Sequence, residues 1–132
     1  MIAIDTNVLV RYIMQDDVAQ SALATRLIEE QCDEKNPALI NHLVLCEMLW
    51  VLQSTYQYKR TECVPLLKQI LITNCFEIPH SALVWKAIYD YDAGNADFSD
   101  YLISHSNQFF GAEVTFTFDK KTARHKNCQL LL

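Results

Sequence analysis

Two aspartates follow short apolar segments of the chain. Asp5 comes directly after residues 1–4, and Asp119 comes after residues 113–118, where valine and phenylalanine alternate with polar residues. Both segments predict β-strands, and an open parallel sheet binds its ligands beyond the carboxyl ends of its strands. Taken singly, either aspartate is more typical of a helix N-cap or a turn. Their positions indicate a site only if other carboxylates join them.

Glu47 interrupts a predicted helix, residues 42–56, that is apolar on nearly every side. We therefore expect its carboxylate to be poorly solvated, and an unpaired buried charge is costly. A basic partner, a bound cation or a raised pKa would relieve that cost. The alternative is a glutamate on a narrow exposed stripe, and the site interpretation is preferred to it.

Asp97 and Asp100 open a predicted helix, residues 97–110, and their spacing lets both point to one side of its first turn. Asp97 suits the N-cap, where a carboxylate accepts from exposed N–H groups and complements the helix dipole. Asp100 lies further in. We predict Asp100 as the site residue, with Asp97 auxiliary.

Carboxylates gathered without counter-charges repel one another, so a fold that keeps such a cluster is expected to bind cations there. Oxygen-only ligands select hard ions, Mg²⁺ or Mn²⁺. Such an ion polarises a phosphate and lowers the pKa of bound water, which indicates phosphodiester hydrolysis. The predicted catalytic and metal-binding acids are Asp5, Glu47, Asp100 and Asp119.

Other kinds of site find less support in the sequence. The five cysteines show no metal-binding spacing and are expected to be reduced thiols in apolar surroundings. The chain has no glycine-rich phosphate loop. The four histidines are isolated along the chain and are expected to be surface or capping residues: His42, His80, His105 and His125.

A basic stretch follows Asp119 directly and would lie at the rim of the proposed pocket. It is equally consistent with RNA binding and with a solvated helix face. Arg11 is a further candidate for RNA contact, and residues 56–60 form a second possible contact. The basic stretch contains Lys120, Lys121, Arg124 and Lys126.

The elements that must position these residues alternate between strands and helices. This order predicts an α/β fold, a three-layer α/β/α sandwich with a central, mainly parallel sheet, in one domain over residues 1–132. Strands are predicted at 1–4, 38–41, 76–78, 113–118 and 128–132, and helices at about 8–14, 18–32, 42–56, 61–72, 81–91 and 97–110.

Composition narrows the setting. A chain of 132 residues with 51% hydrophobic residues can bury one core. Its net charge of −5 lacks the basic excess typical of nucleic-acid binders, so RNA processing would depend on metal-bound carboxylates. No apolar run reaches the ~18 residues that span a bilayer, and the start lacks the basic region of a signal peptide. We expect a cytoplasmic protein without membrane contact.

Several short blocks occur in order along the chain: Asp5-Thr6-Asn7-Val8-Leu9-Val10-Arg11-Tyr12, Asp16-Asp17, Glu47 within residues 45–52, Asp97-Phe98-Ser99-Asp100, and Thr117-Phe118-Asp119-Lys120. Together they resemble the PIN-domain family, particularly the VapC-like toxin ribonucleases of bacterial toxin–antitoxin pairs. The resemblance implies a parallel α/β/α sandwich and Mg²⁺- or Mn²⁺-dependent endoribonuclease activity. It also implies a homodimer and inhibition by a cognate antitoxin.

The resemblance also implies a role for individual residues. The core acids correspond to Asp5, Glu47 and Asp100, the more variable fourth acid to Asp119, and the supporting polar groups to Asn7, Asp97 and Thr117.

Tyr101 departs from the family pattern, which usually has alanine after the acid that corresponds to Asp100. Its bulk is expected to narrow the pocket or to reposition the helix. Two alternatives stay open: a PIN-type nuclease that acts on DNA, and a non-catalytic module that binds operator DNA with its partner. The intact set of four acids argues against the non-catalytic module.

Overall fold

The computed structural model describes residues 1–132 and contains α-helices and short strands in alternation. Its internal contacts group the chain into two units, residues 1–79 and residues 80–132. Every strand pairing is parallel. The α/β class and the parallel pairing expected from the sequence are therefore confirmed, while the single domain over 1–132 stays a prediction.

The first unit contains a three-stranded sheet with the order β1 (Ile2–Ala3), β2 (Ala38–Leu39) and β3 (Phe76–Glu77). In this register, Ala38 lies opposite Ile2 on one side and opposite Phe76 on the other. Because the strands are parallel, the chain leaves all three at the same edge of the sheet. Asp5 leaves β1 at that edge, as predicted.

Four helices belong to the first unit: α1 (Thr6–Met14), α2 (Val18–Gln31), α3 (His42–Ser54) and α4 (Arg60–Ile72). Side chains cap the first three, because the oxygens of Asp5, Asp17 and Asn41 accept from free N–H groups of the first turns. Gln15 ends α1 in the left-handed conformation. The fully buried side chains of this unit include Leu9, Ile28, Ile40, Leu45, Met48, Leu52, Cys63 and Leu67.

The second unit contains α5 (Ser81–Ala93), α6 (Phe98–Phe109), β4 (Thr115–Thr117), a short 3-10 turn (Thr122–Arg124) and β5 (Cys128–Leu130). The two helices pack together, and the ring of Tyr91 meets the ring of Phe98 edge-on at 6.0 Å between centroids. Strands β4 and β5 pair in parallel, with Thr115 opposite Cys128.

The predicted helices are confirmed to within about two residues at each end, whereas the strands are shorter than predicted. Periodicity reveals the local preference of a segment, but a strand ends where its partner ends. The apolar side chains flanking and within β4 show the difference. They alternate as predicted, yet this face is exposed to solvent: Val114, Phe116 and Phe118.

No helix is both long and apolar enough to cross a membrane. Cys32 and Cys63 are buried, consistent with their expected use as small hydrophobic residues.

Candidate active site

A surface pocket in the first unit brings Asp5 and Glu47 together. Asp5 reaches it from the end of β1, and Glu47 reaches it from the second turn of α3. The predicted auxiliary residue Asn7 also lies in the wall of this pocket. Two predicted acids that are 42 positions apart in sequence thus share one solvent-filled depression. Its remaining walls include Thr6, Val10, Arg11, Asp16, Val51 and Tyr56.

Asp5 is the N-cap of α1 and also lies in the wall of the pocket. The two interpretations of this residue, helix cap and candidate site residue, are therefore compatible. Its Oδ1 atom accepts a hydrogen bond from the backbone N–H of Thr6 at 2.7 Å. The carboxylate is thereby held at the positive end of the helix dipole. The Thr6 hydroxyl, in the wall of the same pocket, is buried and makes no hydrogen bond.

Glu47 is exposed, so the expectation that its surroundings would keep it from solvent is wrong. The buried face of α3 is formed by other residues, whereas Leu43, one turn before Glu47, and Trp50, one turn after it, are 72% and 70% exposed. The three side chains share one stripe of the helix. The burial of Glu47 was overestimated because two exposed apolar residues of α3 were taken to be core residues. Glu47 remains a site candidate through the pocket it shares with Asp5.

A hydrogen-bonded group of three side chains forms another part of this pocket wall. The Tyr56 hydroxyl donates to Asp16 Oδ2 at 2.6 Å, and Arg11 Nη1 lies 3.3 Å from Asp16 Oδ1. The Tyr56 hydrogen bond, assisted by Arg11, lowers the pKa of Asp16, and the same hydrogen bond raises the pKa of Tyr56. Arg11 also donates to Gln20. Sequence reasoning had no means of placing Tyr56 at the pocket, because its partner Asp16 is 40 positions away.

The second unit brings the other two predicted acids, Asp100 and Asp119, close to the auxiliary residue Asp97. Asp97 and Asp100 form a capping box at the start of α6, in which the Asp97 N–H donates to Asp100 Oδ2 at 3.2 Å. Asp97 is the N-cap and Asp100 lies one turn in, as predicted. Burial raises the pKa of Asp100, and the carboxylates of Asp97 and Asp119 raise it further. The Asp97 N–H acts in the opposite direction.

Asp119 organises the turn that follows β4. Its Oδ1 atom accepts from the backbone N–H groups of Lys121 at 2.8 Å and Thr122 at 3.3 Å. Its own N–H donates to the hydroxyl of the predicted auxiliary residue Thr117 at 3.0 Å. Asp119 therefore occupies a turn, which was the alternative interpretation of this residue. The same turn holds its carboxylate near that of Asp100.

A comparison with models of protein families identifies the family of this chain. The family model described as the PIN domain matches residues 2–127. The chain belongs to the PIN-domain family. The matched range includes all of the predicted acids, and PIN domains are typically metal-dependent nucleases. A comparison with curated proteins gave no significant match.

The donor set of this PIN domain fits a hard divalent cation. Asp5 and Glu47 in the first unit, and Asp100 and Asp119 in the second, offer carboxylate oxygens only, which are the ligands that Mg²⁺ and Mn²⁺ prefer. A cation beside Asp100 would also offset the repulsion from Asp97 and Asp119 that raises its pKa.

The predicted basic stretch of this PIN domain lines a different hollow from the acids. Lys121, Arg124 and Lys126 surround it together with Asp90 and His125, and none of the predicted acids belongs to its wall. Lys120 is exposed. Their expected position at the rim of the acid pocket and their role in RNA binding stay predictions.

Two histidines depart from expectation. His105 and His125 are not isolated, since the Nε2 atoms of both lie against Asp90 Oδ2, at 2.5 Å and 2.9 Å. The expectation was wrong because it considered spacing along the chain, whereas these residues come from separate segments of the second unit. His80, by contrast, is exposed at the N-cap position of α5, as expected.

Tyr101, the departure from the family pattern, is buried and accommodated by a glycine. Its hydroxyl accepts from the Ala96 N–H at 3.3 Å, and a Cβ atom at Gly94 would collide with that hydroxyl. The ring meets His125 edge-on at 5.4 Å. Tyr101 therefore packs toward His125, on the side of α6 where Gly94 makes room for it.

Proposed function

We propose that this PIN domain is an endoribonuclease that hydrolyses RNA phosphodiester bonds with Mg²⁺ or Mn²⁺. The proposed metal ligands are the four predicted acids: Asp5, Glu47, Asp100 and Asp119.

The observation that carries the proposal is the half-buried carboxylate of Asp100 beside Asp97 and Asp119. Burial and two like charges raise the pKa of Asp100, a combination that is costly in a fold without a counter-ion. The charged groups that shift the pKa of Asp100 are both carboxylates, and no lysine or arginine is among them. A divalent cation is the natural counter-charge.

When bound, a divalent ion would polarise a phosphate oxygen and lower the pKa of a bound water molecule. The protein's own groups orient the ligands. Thr6 holds one oxygen of Asp5, the capping box holds Asp100, and the turn after β4 holds Asp119. The auxiliary residues Asn7, Asp97 and Thr117 support these positions. The proposed phosphate contacts are Lys120, Lys121, Arg124, Lys126 and, with its side chain already engaged by Asp16, Arg11.

The proposed biological role is that of a VapC-like toxin, with a homodimer, an RNA substrate and a cognate antitoxin as partners. The order and spacing of the sequence blocks from Asp5 to Lys120 support the subtype. The exposed large apolar side chains of the second unit support a protein partner, since exposed apolar groups are frequent at interaction sites. These side chains are Phe109, Phe110, Val114, Phe116 and Phe118.

Cleavage of matched RNA and DNA single strands tests the proposal. We expect the wild-type protein to cut RNA when Mg²⁺ or Mn²⁺ is added, to stop when the metal is chelated, and to leave DNA intact. Asp100→Asn, purified in parallel, controls for contaminating nucleases. Preferred cleavage of DNA would replace the substrate with DNA. Absence of any metal-dependent cleavage, together with binding to operator DNA, would favour the non-catalytic module instead.

A further inference from the structure

A second group of metal-ligating side chains lies in the second unit, apart from the predicted acids. It comprises Asp90, His105 and His125, whose ligand atoms all lie within 4.8 Å of one another. The side chains of both histidines are only 7% exposed, whereas that of Asp90 is 34% exposed. The two imidazoles are therefore nearly enclosed, and the carboxylate opens to solvent.

Three separate segments supply these residues. Asp90 is on the last turn of α5, His105 is on α6, and His125 directly follows the 3-10 turn. The packing of α5 against α6 sets the first two. Both Nε2 atoms converge on the same oxygen, Asp90 Oδ2. The structure thus gathers three potential ligand atoms from three segments within 4.8 Å of one another, as a metal site requires.

A serine hydroxyl supports His125 from the other side of its ring. Ser104 Oγ is 3.2 Å from His125 Nδ1, and Ser104 is 1% exposed. Without metal, the ring can donate from Nε2 to Asp90 and accept from Ser104 at Nδ1. With metal on Nε2, the ring proton moves to Nδ1 and is donated to Ser104, so no proton is gained or lost. Metal-bound histidines usually have such an outer partner.

We propose that Asp90, His105 and His125 form a Zn²⁺ site that is distinct from the Mg²⁺ or Mn²⁺ site proposed for the acids. Two imidazoles and one carboxylate are a donor set that suits zinc, whereas oxygen-only donors suit magnesium. Tetrahedral zinc, with bonds of about 2.0–2.1 Å, holds its ligand atoms about 3.3 Å apart. The observed Nε2–Oδ2 distances of 2.5 Å and 2.9 Å are shorter than that spacing, so zinc binding requires the Asp90 oxygen to move away from both imidazoles.

The surroundings define what the site would do. Basic side chains line the adjoining hollows, namely Lys86, Lys121, Arg124 and Lys126. They oppose a cation, so we expect moderate affinity. The exposed side of Asp90 leaves a fourth position for water. Since the ligands come from three segments, bound zinc would cross-link α5, α6 and the turn that carries the basic residues, and would stabilise the second unit.

Zinc binding by the full-length protein, without an affinity tag, tests the proposal. Calorimetry is done in excess Mg²⁺ so that oxygen-only sites are occupied, and Co²⁺ serves as a spectroscopic probe of tetrahedral coordination. We expect one Zn²⁺ per chain, a visible spectrum typical of tetrahedral Co²⁺, and a higher Tm with zinc. The variants Asp90→Asn and His125→Gln should each weaken binding by at least ~100-fold, because even the loss of an outer partner costs about 10–100-fold.

Two controls separate this site from others. His80→Gln removes an exposed histidine of the same unit, and Asp100→Asn alters the acid site, so both should bind zinc like the wild type. Ser104→Ala should weaken binding by about 10–100-fold. If His125→Gln fails to fold, circular dichroism will reveal it, and Asp90→Asn, at a partly exposed position, decides the question. Absence of zinc binding by the wild type, or unchanged binding in both Asp90→Asn and His125→Gln, would overturn the proposal.

Discussion

At the scale of single residues, Asp100 carries the strongest electrostatic signal of the predicted acids. Its pKa lies above the usual 3.8, because of burial first and then of Asp97 and Asp119. A raised pKa means that the folded protein favours the protonated carboxyl. The stability contributed by this group is therefore fully present below about pH 4 and is lost as the pH rises through the folded-state pKa.

Asp100→Asn should remove that loss. Without metal at neutral pH, we expect the variant's Tm to equal or exceed that of the wild type, with the difference shrinking toward pH 4. Mn²⁺ or Mg²⁺ should raise the wild-type Tm, as any ligand of the native state does, and should raise that of Asp100→Asn less. Thermal denaturation with and without metal measures both effects. Asp92→Asn, an exposed acid on α5, is the control; equal metal increments in Asp100→Asn and wild type would exclude Asp100 as a ligand.

Glu47 is a second residue whose role can be separated from folding. Because it is exposed, Glu47→Gln should leave the Tm unchanged. We expect RNA cleavage to fall by at least ~100-fold, the scale on which the loss of a key electrostatic group shows. The measurement is single-turnover cleavage beside Glu30→Gln, an exposed glutamate on α2. Cleavage rates within a few-fold of each other would remove Glu47 from the site.

At the scale of elements, the turn after β4 carries basic side chains that are equally consistent with RNA binding and with a solvated surface. Each phosphate contact to a single strand contributes about 0.7 to the slope of log affinity against log salt. Replacing the four cations Lys120, Lys121, Arg124 and Lys126 by glutamine should weaken RNA binding and flatten this slope, with little effect on cleavage at saturating RNA.

Binding on the Asp100→Asn background isolates that effect from turnover. Lys35→Gln and Arg26→Gln, at exposed positions of the first unit, are matched controls that should not change the slope. If the quadruple variant shows the same slope as these controls, the turn is a solvated surface, and the RNA track lies elsewhere, first around Arg11, Lys59 and Arg60.

The junction between α5 and α6 depends on Gly94. An added Cβ would collide with the Tyr101 hydroxyl and lie 2.9 Å from the Asp90 backbone oxygen. Gly94→Ala should therefore cost about 1–3 kcal/mol in the free energy of unfolding, as overpacking does. Tyr101→Phe removes the hydroxyl, so the double variant should lose less than the two single variants together. Denaturant unfolding measures the cycle, and strict additivity would contradict the proposed collision.

At the scale of the whole molecule, the prediction of one domain over residues 1–132 can be tested by cooperativity. The family match runs across both units, from residue 2 to residue 127. A single domain of this size usually unfolds in one step. We expect the intrinsic fluorescence of Trp50 in the first unit, isolated in a Trp85→Phe variant, to follow the same transition as far-UV circular dichroism. Separate midpoints would indicate two independently folding units.

The sequence by itself determined the local features of this protein. Periodicity and capping residues predicted the helices, and Asp5, Asp97 and Asp119 occupy the strand-end, N-cap and turn positions expected for them. These features depend on interactions within a few residues, which a single sequence displays directly. The order of strands and helices likewise predicted parallel pairing, because parallel strands need a crossover between them.

Only the tertiary structure decided which distant side chains meet. It exposed Glu47, tied Tyr56 to Asp16, and joined His105 and His125 through Asp90. Helix periodicity shows which residues share one face of a helix. It does not show which element covers that face, because that element comes from elsewhere in the chain. Contacts across 15 to 40 positions follow from helix packing, whose geometry depends on the joint fit of many side chains, and no local pattern encodes that fit.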